Sequence, residues 1–275
     1  MLFYVFKQHT YGWDAIMPNN TVLLAFTIVN VVVTGLFAAV VARQYAQRRR
    51  IYQLYWTIAL LMAFLATASY VSMVLVGPTS GAGVFFFRAY YILGATLAPS
   101  WLGLGSIALV AGSRMTRISF AVLTALSVIT AVIIAIVPLN IHALSSVAGT
   151  AGTGILENQA VWLPFTITLN SLGVLAVVGV AIYSGWKLWR RQSSVAGFRP
   201  GNLLWANVLI LIGDLLNAYA GTNARAFGQS GSFWLVMAAG WIVFFTGVLL
   251  TSRRAATAKT KHEEANAKGT VASSR

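Results

Sequence analysis

The chain has 275 residues, of which 58% are hydrophobic and only 9% are charged, and its formal net charge is +14. Soluble globular domains carry about 25% charged residues, so this composition excludes an ordinary soluble protein. The absence of cysteine excludes disulfide bonds, thiolate metal sites and thiol catalysis.

Seven apolar segments follow one another and predict an all-α fold, a polytopic bundle of seven transmembrane helices. Residues 1–20 lack the pattern of a cleavable signal peptide and are predicted to form an external lead-in at the membrane interface. Residues 253–275 are too polar to pack in a core, which predicts a disordered basic tail. The predicted spans are 21–42, 54–76, 83–111, 118–138, 161–186, 203–221 and 232–252.

The third segment, 83–111, is the one around which the others are organised. Its 29 residues would form a helix roughly 43 Å long at ~1.5 Å per residue. This length exceeds the ~30 Å hydrocarbon core of a bilayer, so the helix is expected to tilt or bend. Pro99 has no N–H to donate to the Ala95 carbonyl, which predicts a kink near the middle of the span.

The basic residues predict the orientation of the bundle. Sixteen Lys and Arg residues fall in the links after the first, third, fifth and seventh spans or in the tail, and only Lys7 and Arg225 fall on the opposite face. This distribution predicts an external amino terminus and a cytoplasmic carboxyl terminus in the plasma membrane. We therefore expect the basic residues to fix the orientation of the helices and to contact anionic lipid headgroups. The basic links are also a candidate surface for a protein partner. The positive charge is not assigned to nucleic acid.

Two charged side chains, Arg88 and Asp214, lie inside predicted spans at similar depths, roughly 8–10 Å from the outer boundary at ~1.5 Å per residue. Burying either one alone costs at least ~2.5 kcal/mol, so we predict that they form an ion pair or share a polar cluster near the outer mouth. Helical spacing groups further polar residues with them. The candidate site residues are Arg88, Tyr91, Asp214, Asn217, Asn207 and Asn30, with Tyr70 and Tyr219 as possible additions.

Two interpretations of these residues remain open. One is a structural clasp, in which Arg88 and Asp214 neutralise each other and the asparagines form hydrogen bonds between helices. The other is a site for a ligand, an ion or a proton built on Asp214.

The sequence lacks the residues that retinal and haem proteins need, and we expect no cofactor, no metal and no catalytic residues. A microbial-type retinal protein needs a lysine in its last span, and 232–252 has none. Membrane haem needs histidines inside the bundle, whereas His9, His142 and His262 lie in links or tails. One acid within the spans is too few for a two-carboxylate mechanism.

A weak similarity between the second and sixth spans suggests a parallel repeat of three plus three helices. Trp56 and Tyr70 are fourteen residues apart in the second span, and Trp205 and Tyr219 are equally spaced in the sixth. Such a repeat is found in some transporters. The alternative is that these aromatic residues are ordinary anchors at the membrane interface.

The segment FRAYYILGATLAPSWLGLGSIALV, starting at Phe87, combines an arginine, an aromatic run, Gly-Ala, a proline and Trp-Leu-Gly-Leu-Gly. It resembles a pattern in uncharacterised bacterial multi-pass membrane proteins. The seven-span layout is more distantly similar to the amino-terminal sensor modules of some bacterial histidine kinases. The chain departs from those modules because it ends about twenty residues after its last span, and neither resemblance implies functional residues.

The favoured hypothesis is a non-enzymatic sensor, receptor-like protein or accessory subunit with a polar pocket near the outer leaflet. A second hypothesis is a small-solute or ion transporter built on the three-plus-three repeat. A third is a structural subunit of a larger membrane complex.

Overall fold

A computed structural model describes residues 20–191, 201–226 and 232–250. The predicted tail, 253–275, and all but the last residue of the predicted lead-in, 1–20, lie outside these ranges. Within them the chain is all-helical and contains no strand, only an isolated β-bridge between Leu139 and Leu156. The predicted all-α class is confirmed.

In the described part of the chain, seven long helices each lie over one of the predicted apolar segments, and a short helix lies in the link between the fourth and fifth of them. Their bounds are α1 Asn20–Arg48, α2 Ile51–Val76, α3 Gly81–Val110, α4 Ser113–Ile136, α5 Ile141–Ser145, α6 Gln159–Arg191, α7 Gly201–Ala226 and α8 Phe233–Leu250.

Counted over the residues that the structure describes, six of these helices, all the long ones except α7, are long and apolar enough to cross a membrane. The helix α7 has 26 residues, but Asn207, Asp214 and Asn217 make it more polar than the others. Large apolar side chains are exposed on the outside of the bundle, among them Leu75 and Ile136 at 74% and 73% exposure. Such a surface is unfavourable in water. These features indicate a multi-pass membrane protein.

Helix α3 changes its geometry in the middle. Residues Tyr91–Leu97 form a π-helical segment, in which the Ala98 N–H bonds the carbonyl of Leu93, five residues earlier. Regular α-helix resumes at Ala98 and includes Pro99 in its first turn. The departure from α-helical geometry therefore lies in the turns that precede Pro99, where the sequence predicts a kink.

The two ends of the bundle differ in composition. One end carries the α1–α2 and α3–α4 turns and the end of α6, and it holds the described basic link residues Arg43, Arg48, Arg49, Arg50, Arg114, Arg117, Lys187 and Arg190. We call it the arginine-rich end. The opposite end carries residues 139–158, which connect α4 to α6 and which we call the cap segment.

Candidate functional site

The predicted ion pair between Arg88 and Asp214 is absent from the structure. The Arg88 guanidinium instead donates hydrogen bonds to α4, from Nη1 to the Ile134 carbonyl and from Nη2 to the Val137 carbonyl at 2.9 Å. The last carbonyls of a helix have no partners within it and carry the negative end of its dipole. Arg88 therefore satisfies the carboxyl end of α4, and it needs no carboxylate.

Asp214 is 94% buried in α7, and its Oδ2 atom has no hydrogen-bond partner. One turn along the same helix, the buried Oδ1 atom of Asn217 also lacks a partner. No described salt bridge reaches Asp214. Asp214 and Arg88 therefore do not form the structural clasp in which each neutralises the other.

Asn217 lies at a tight contact between α7 and α8. An ideal Cβ atom built on Gly240 would come within 2.2 Å of the Asn217 Oδ1 atom. Nearby, a Cβ atom on Gly213 would come within 2.5 Å of the Phe244 nitrogen. Glycine at both positions lets the two helices approach closely beside Asp214.

Asn30 joins the first and last described helices. Its Nδ2 atom donates to the Phe26 carbonyl at 2.8 Å and to the Trp234 carbonyl of α8 at 3.0 Å. Thr27, Asn30 and Thr34 are all completely buried, as their helical spacing predicts. Asn30 thus forms an interhelical hydrogen bond of the kind that the sequence suggests.

The cap segment is attached to the bundle by aromatic side chains of three helices. The Tyr70 hydroxyl of α2 lies 2.8 Å from the Val147 carbonyl oxygen and 2.7 Å from that of Thr150. Tyr90 of α3 donates to the Ala151 carbonyl at 3.0 Å. From α8, the indole Nε1 of Trp234 donates to the Thr150 carbonyl at 3.2 Å.

The cap segment also contributes to the hydrophobic core. Five of its apolar side chains are buried among the rings of Tyr70, Phe87 and Trp234, namely Leu144, Val147, Ala151, Ile155 and Leu156. The sequence analysis treats this segment as a polar link because of its Gly, Ser and Thr residues. The apolar residues that recur every three or four positions from 144 to 155 are the signal that could have revealed it.

Tyr91 lies beneath the cap segment, 98% buried, with its ring 5.4 Å from that of Trp162 in an edge-to-face contact. The side chain of Arg225, at the end of α7, lies beside the Tyr91 hydroxyl. Sequence reasoning placed Arg225 only in an outer link. It missed this contact because nothing in the order of residues relates the ends of α3 and α7.

The predicted pocket is therefore divided into separate groups. Arg88, Tyr91 and Tyr70 lie at the cap end, whereas Asp214 and Asn217 lie further along α7. Asn207 lines a different cavity, toward the arginine-rich end. Tyr219 is 56% exposed on the outside of the bundle, so its proposed place in the pocket is wrong.

Among the described residues, no group of three His, Asp or Glu side chains is placed to hold a metal ion. Comparison of the chain with protein-family models, curated proteins and solved structures finds no match.

Proposed function

We propose that this protein is a sensor, receptor-like protein or accessory subunit of the bacterial plasma membrane, without catalytic activity. The observation that carries the proposal is the attachment of the cap segment to several helices at once. Side chains of α2, α3 and α8 bond its carbonyls, and Arg88 joins α3 to the end of α4 just before it. A molecule that displaced the cap segment would alter the contacts of all these helices.

We place the cap segment outside the cell and the arginine-rich end in the cytoplasm. The described basic link residues favour this orientation because Lys and Arg are retained on the cytoplasmic side. Arg190 lies 4.1 Å above the ring of Trp186, as expected for side chains in the headgroup layer. In this orientation a signal enters at the cap end, and a protein partner is contacted through the basic links.

The proposal takes α7 as a seventh span. At ~1.5 Å per residue its 26 residues reach roughly 39 Å, enough to cross the hydrocarbon core. Its acidic residue, Asp214, is buried, as expected for a charged group at membrane depth. Seven spans also put the two ends of the chain on opposite sides of the membrane, in agreement with the distribution of basic residues.

The test is whether a change at the cap end reaches the arginine-rich end. Hydrogen–deuterium exchange would be measured on the full chain in lipid nanodiscs, for the wild type and for Tyr70→Phe. We expect faster exchange in the cap segment and also at the α1–α2 and α3–α4 turns. Tyr219→Phe, at an exposed tyrosine, is the matched control. Exchange that changes only within the cap segment would contradict a role in signalling.

One observation favours a small-ion transporter as a second candidate. The buried, unpartnered Oδ2 atom of Asp214 is a typical feature of ion pathways. The two halves of the suggested three-plus-three repeat place their matching tyrosines differently, since Tyr70 is fully buried whereas Tyr219 is 56% exposed. Ion flux into proteoliposomes that disappears in Asp214→Asn would favour the transporter over the sensor.

A further inference from the structure

Two buried oxygen atoms of α7 lack a hydrogen-bond partner within one turn of each other, the Oδ2 atom of Asp214 and the Oδ1 atom of Asn217. Residues three apart on a helix are neighbours, with Cβ atoms about 5–6 Å apart. A carboxylate oxygen and an amide oxygen both accept hydrogen bonds and donate none, so neither can satisfy the other. The pair therefore needs a third group that carries positive charge.

The backbone of α7 adds a third oxygen at the same place. An ideal Cβ atom on Gly240 of α8 would come within 3.1 Å of the Gly213 carbonyl oxygen, and closer still to the Asn217 Oδ1 atom. A helical carbonyl that accepts one N–H keeps a second lone pair. Because Asp214 directly follows Gly213, oxygens of a carboxylate, an amide and a carbonyl all lie within one turn, where α7 contacts α8.

The charge at this position indicates the class of ligand. Asp214 is the one acidic residue in the described helices α1–α8, and Arg88 is bonded to the carboxyl end of α4 instead. A buried carboxylate without a counter-charge is costly. A monovalent cation would neutralise it, whereas a divalent cation would leave one positive charge buried. Carboxylate and carbonyl oxygens are the ligands that hard cations prefer.

We propose that α7 binds a monovalent alkali cation, Na⁺ or K⁺, through the Asp214 carboxylate and the Asn217 amide oxygen, where it contacts α8. The Gly213 carbonyl and water complete the coordination. The site deepens the second candidate function, because it names the ion class and a second ligand. It holds for a sensor as well as for a transporter, since it rests on residues outside the cap segment.

A cavity of about 50 Å³ on the side of the arginine-rich end gives such a cation a way to approach. Its wall includes Asn207, two turns from Asp214 on the same face of α7, and Phe244, which packs on Gly213. A water molecule needs about 10–15 Å³, so three to five waters fit. The Asn207 amide and the Ser184 hydroxyl on the wall can bind them.

The direct test is equilibrium binding of radiolabelled Na⁺, or of Rb⁺ as the analogue of K⁺, to the full chain in nanodiscs of phosphatidylcholine. Choline chloride keeps the ionic strength constant. We expect saturable binding of about one ion per chain, which unlabelled NaCl or KCl displaces and choline does not. The absence of saturable binding of either ion would overturn the proposal. Binding without ion flux would support the site while contradicting the transporter.

Variants of the two ligands locate the binding. Asp214→Asn keeps the shape of the side chain and removes its charge, so saturable binding should disappear. Asn217→Ala should weaken binding about tenfold or more, as the loss of groups around a metal ion usually does. Glu157→Gln removes an exposed carboxylate of the cap segment and is the matched control, with unchanged binding expected. Binding that survives in Asp214→Asn would overturn the proposal.

Asn217→Asp separates coordination from folding. The change keeps the shape of the side chain and places a second carboxylate beside Asp214, which favours a divalent cation. The unfolding temperature of this variant should rise as CaCl₂ is titrated, because a ligand of the folded state stabilises it, whereas that of the wild type should not. A folded Asn217→Asp variant without a Ca²⁺ response would show that the two side chains do not share a site.

Discussion

Buried aromatic N–H and O–H groups have hydrogen-bond acceptors at the cap end of the bundle, whereas two of them lack acceptors elsewhere in the bundle. At the cap end, Tyr70, Tyr90 and Trp234 all bond to carbonyls of the cap segment. Elsewhere in the bundle, the indole N–H groups of Trp56 and Trp241 are buried without partners. The residue types are similar, so the difference lies in what surrounds them.

Backbone geometry explains this difference. Inside a helix nearly every carbonyl is bonded to the N–H four residues later, so a ring donor that packs between helices meets few free acceptors. An irregular segment such as the cap leaves carbonyls free to accept. Trp101 shows the other solution, because its Nε1 donates to the Ser127 hydroxyl at 3.1 Å. A buried loop can therefore offer backbone acceptors to polar aromatic side chains, whereas in the middle of a helix the acceptor is a side chain such as Ser127.

The largest expected effect comes from Trp234→Ala. Trp234 is 99% buried beneath the cap segment, so its removal leaves a cavity and deletes a hydrogen bond. We expect the free energy of unfolding in detergent to fall by about 3–5 kcal/mol. Trp205→Ala, at a tryptophan that is 63% exposed, is the control and should have a much smaller effect. Equal losses in the two variants would show that the cap end is not tightly packed.

Tyr70→Phe should have the next largest effect. The change keeps the buried ring and removes only the hydroxyl that reaches the carbonyls of Val147 and Thr150. We expect a loss of about 1–3 kcal/mol, because those buried acceptors lose a partner. Limited proteolysis should also cut within the cap segment faster than in the wild type. A variant with wild-type stability and cleavage would contradict the attachment described here.

A matched pair of tryptophan substitutions sharpens the comparison further. Trp234→Phe deletes an N–H that has an acceptor, whereas Trp241→Phe deletes one that has none. The first variant should lose about 1 kcal/mol more stability than the second, measured by chemical unfolding in the same detergent. If Trp241→Phe were the more damaging of the two, an acceptor for its indole would have to exist.

The smallest effect concerns the coupling between Arg88 and Asp214. Because Arg88 is satisfied by α4 carbonyls, the stability changes of Arg88→Met and Asp214→Asn should add, with a coupling energy within about 0.5 kcal/mol. Unfolding of the two single variants and the double variant measures this. A double variant more stable than either single variant would instead be evidence for the ion pair between Arg88 and Asp214 that the sequence predicts.

Hydropathy predicts the positions of the helices well, because long apolar runs at membrane depth have few alternatives to helix. It predicts that Arg88 must be satisfied, but it does not identify the partner. The depth of a residue follows from its place in a span, whereas the free carbonyls near Ile134 and Val137 depend on how two helices end beside each other. The hydrogen bonds at the cap end could not be derived for the same reason, although the apolar spacing from 144 to 155 does indicate that the cap segment packs.

The exposed position of Tyr219 follows from helix geometry. Five residues separate it from Asp214, which is about 140° around a helix at ~3.6 residues per turn, so both cannot face the interior of the bundle. By contrast, no sequence pattern predicts the cavity that Trp56 and Asn207 line, because this cavity arises from imperfect packing between helices.

The π-helical segment Tyr91–Leu97 sets the rotation between the two halves of α3. Such a segment acts as one extra residue inserted into an α-helix. Removing a single residue from it would rotate the amino-terminal half of α3, which carries Arg88 and Tyr90, by about 100° relative to Pro99. The arginine would leave the α4 carbonyls and the tyrosine would leave the cap. One inserted residue thus allows the two halves of α3 to contact neighbours that lie in different directions.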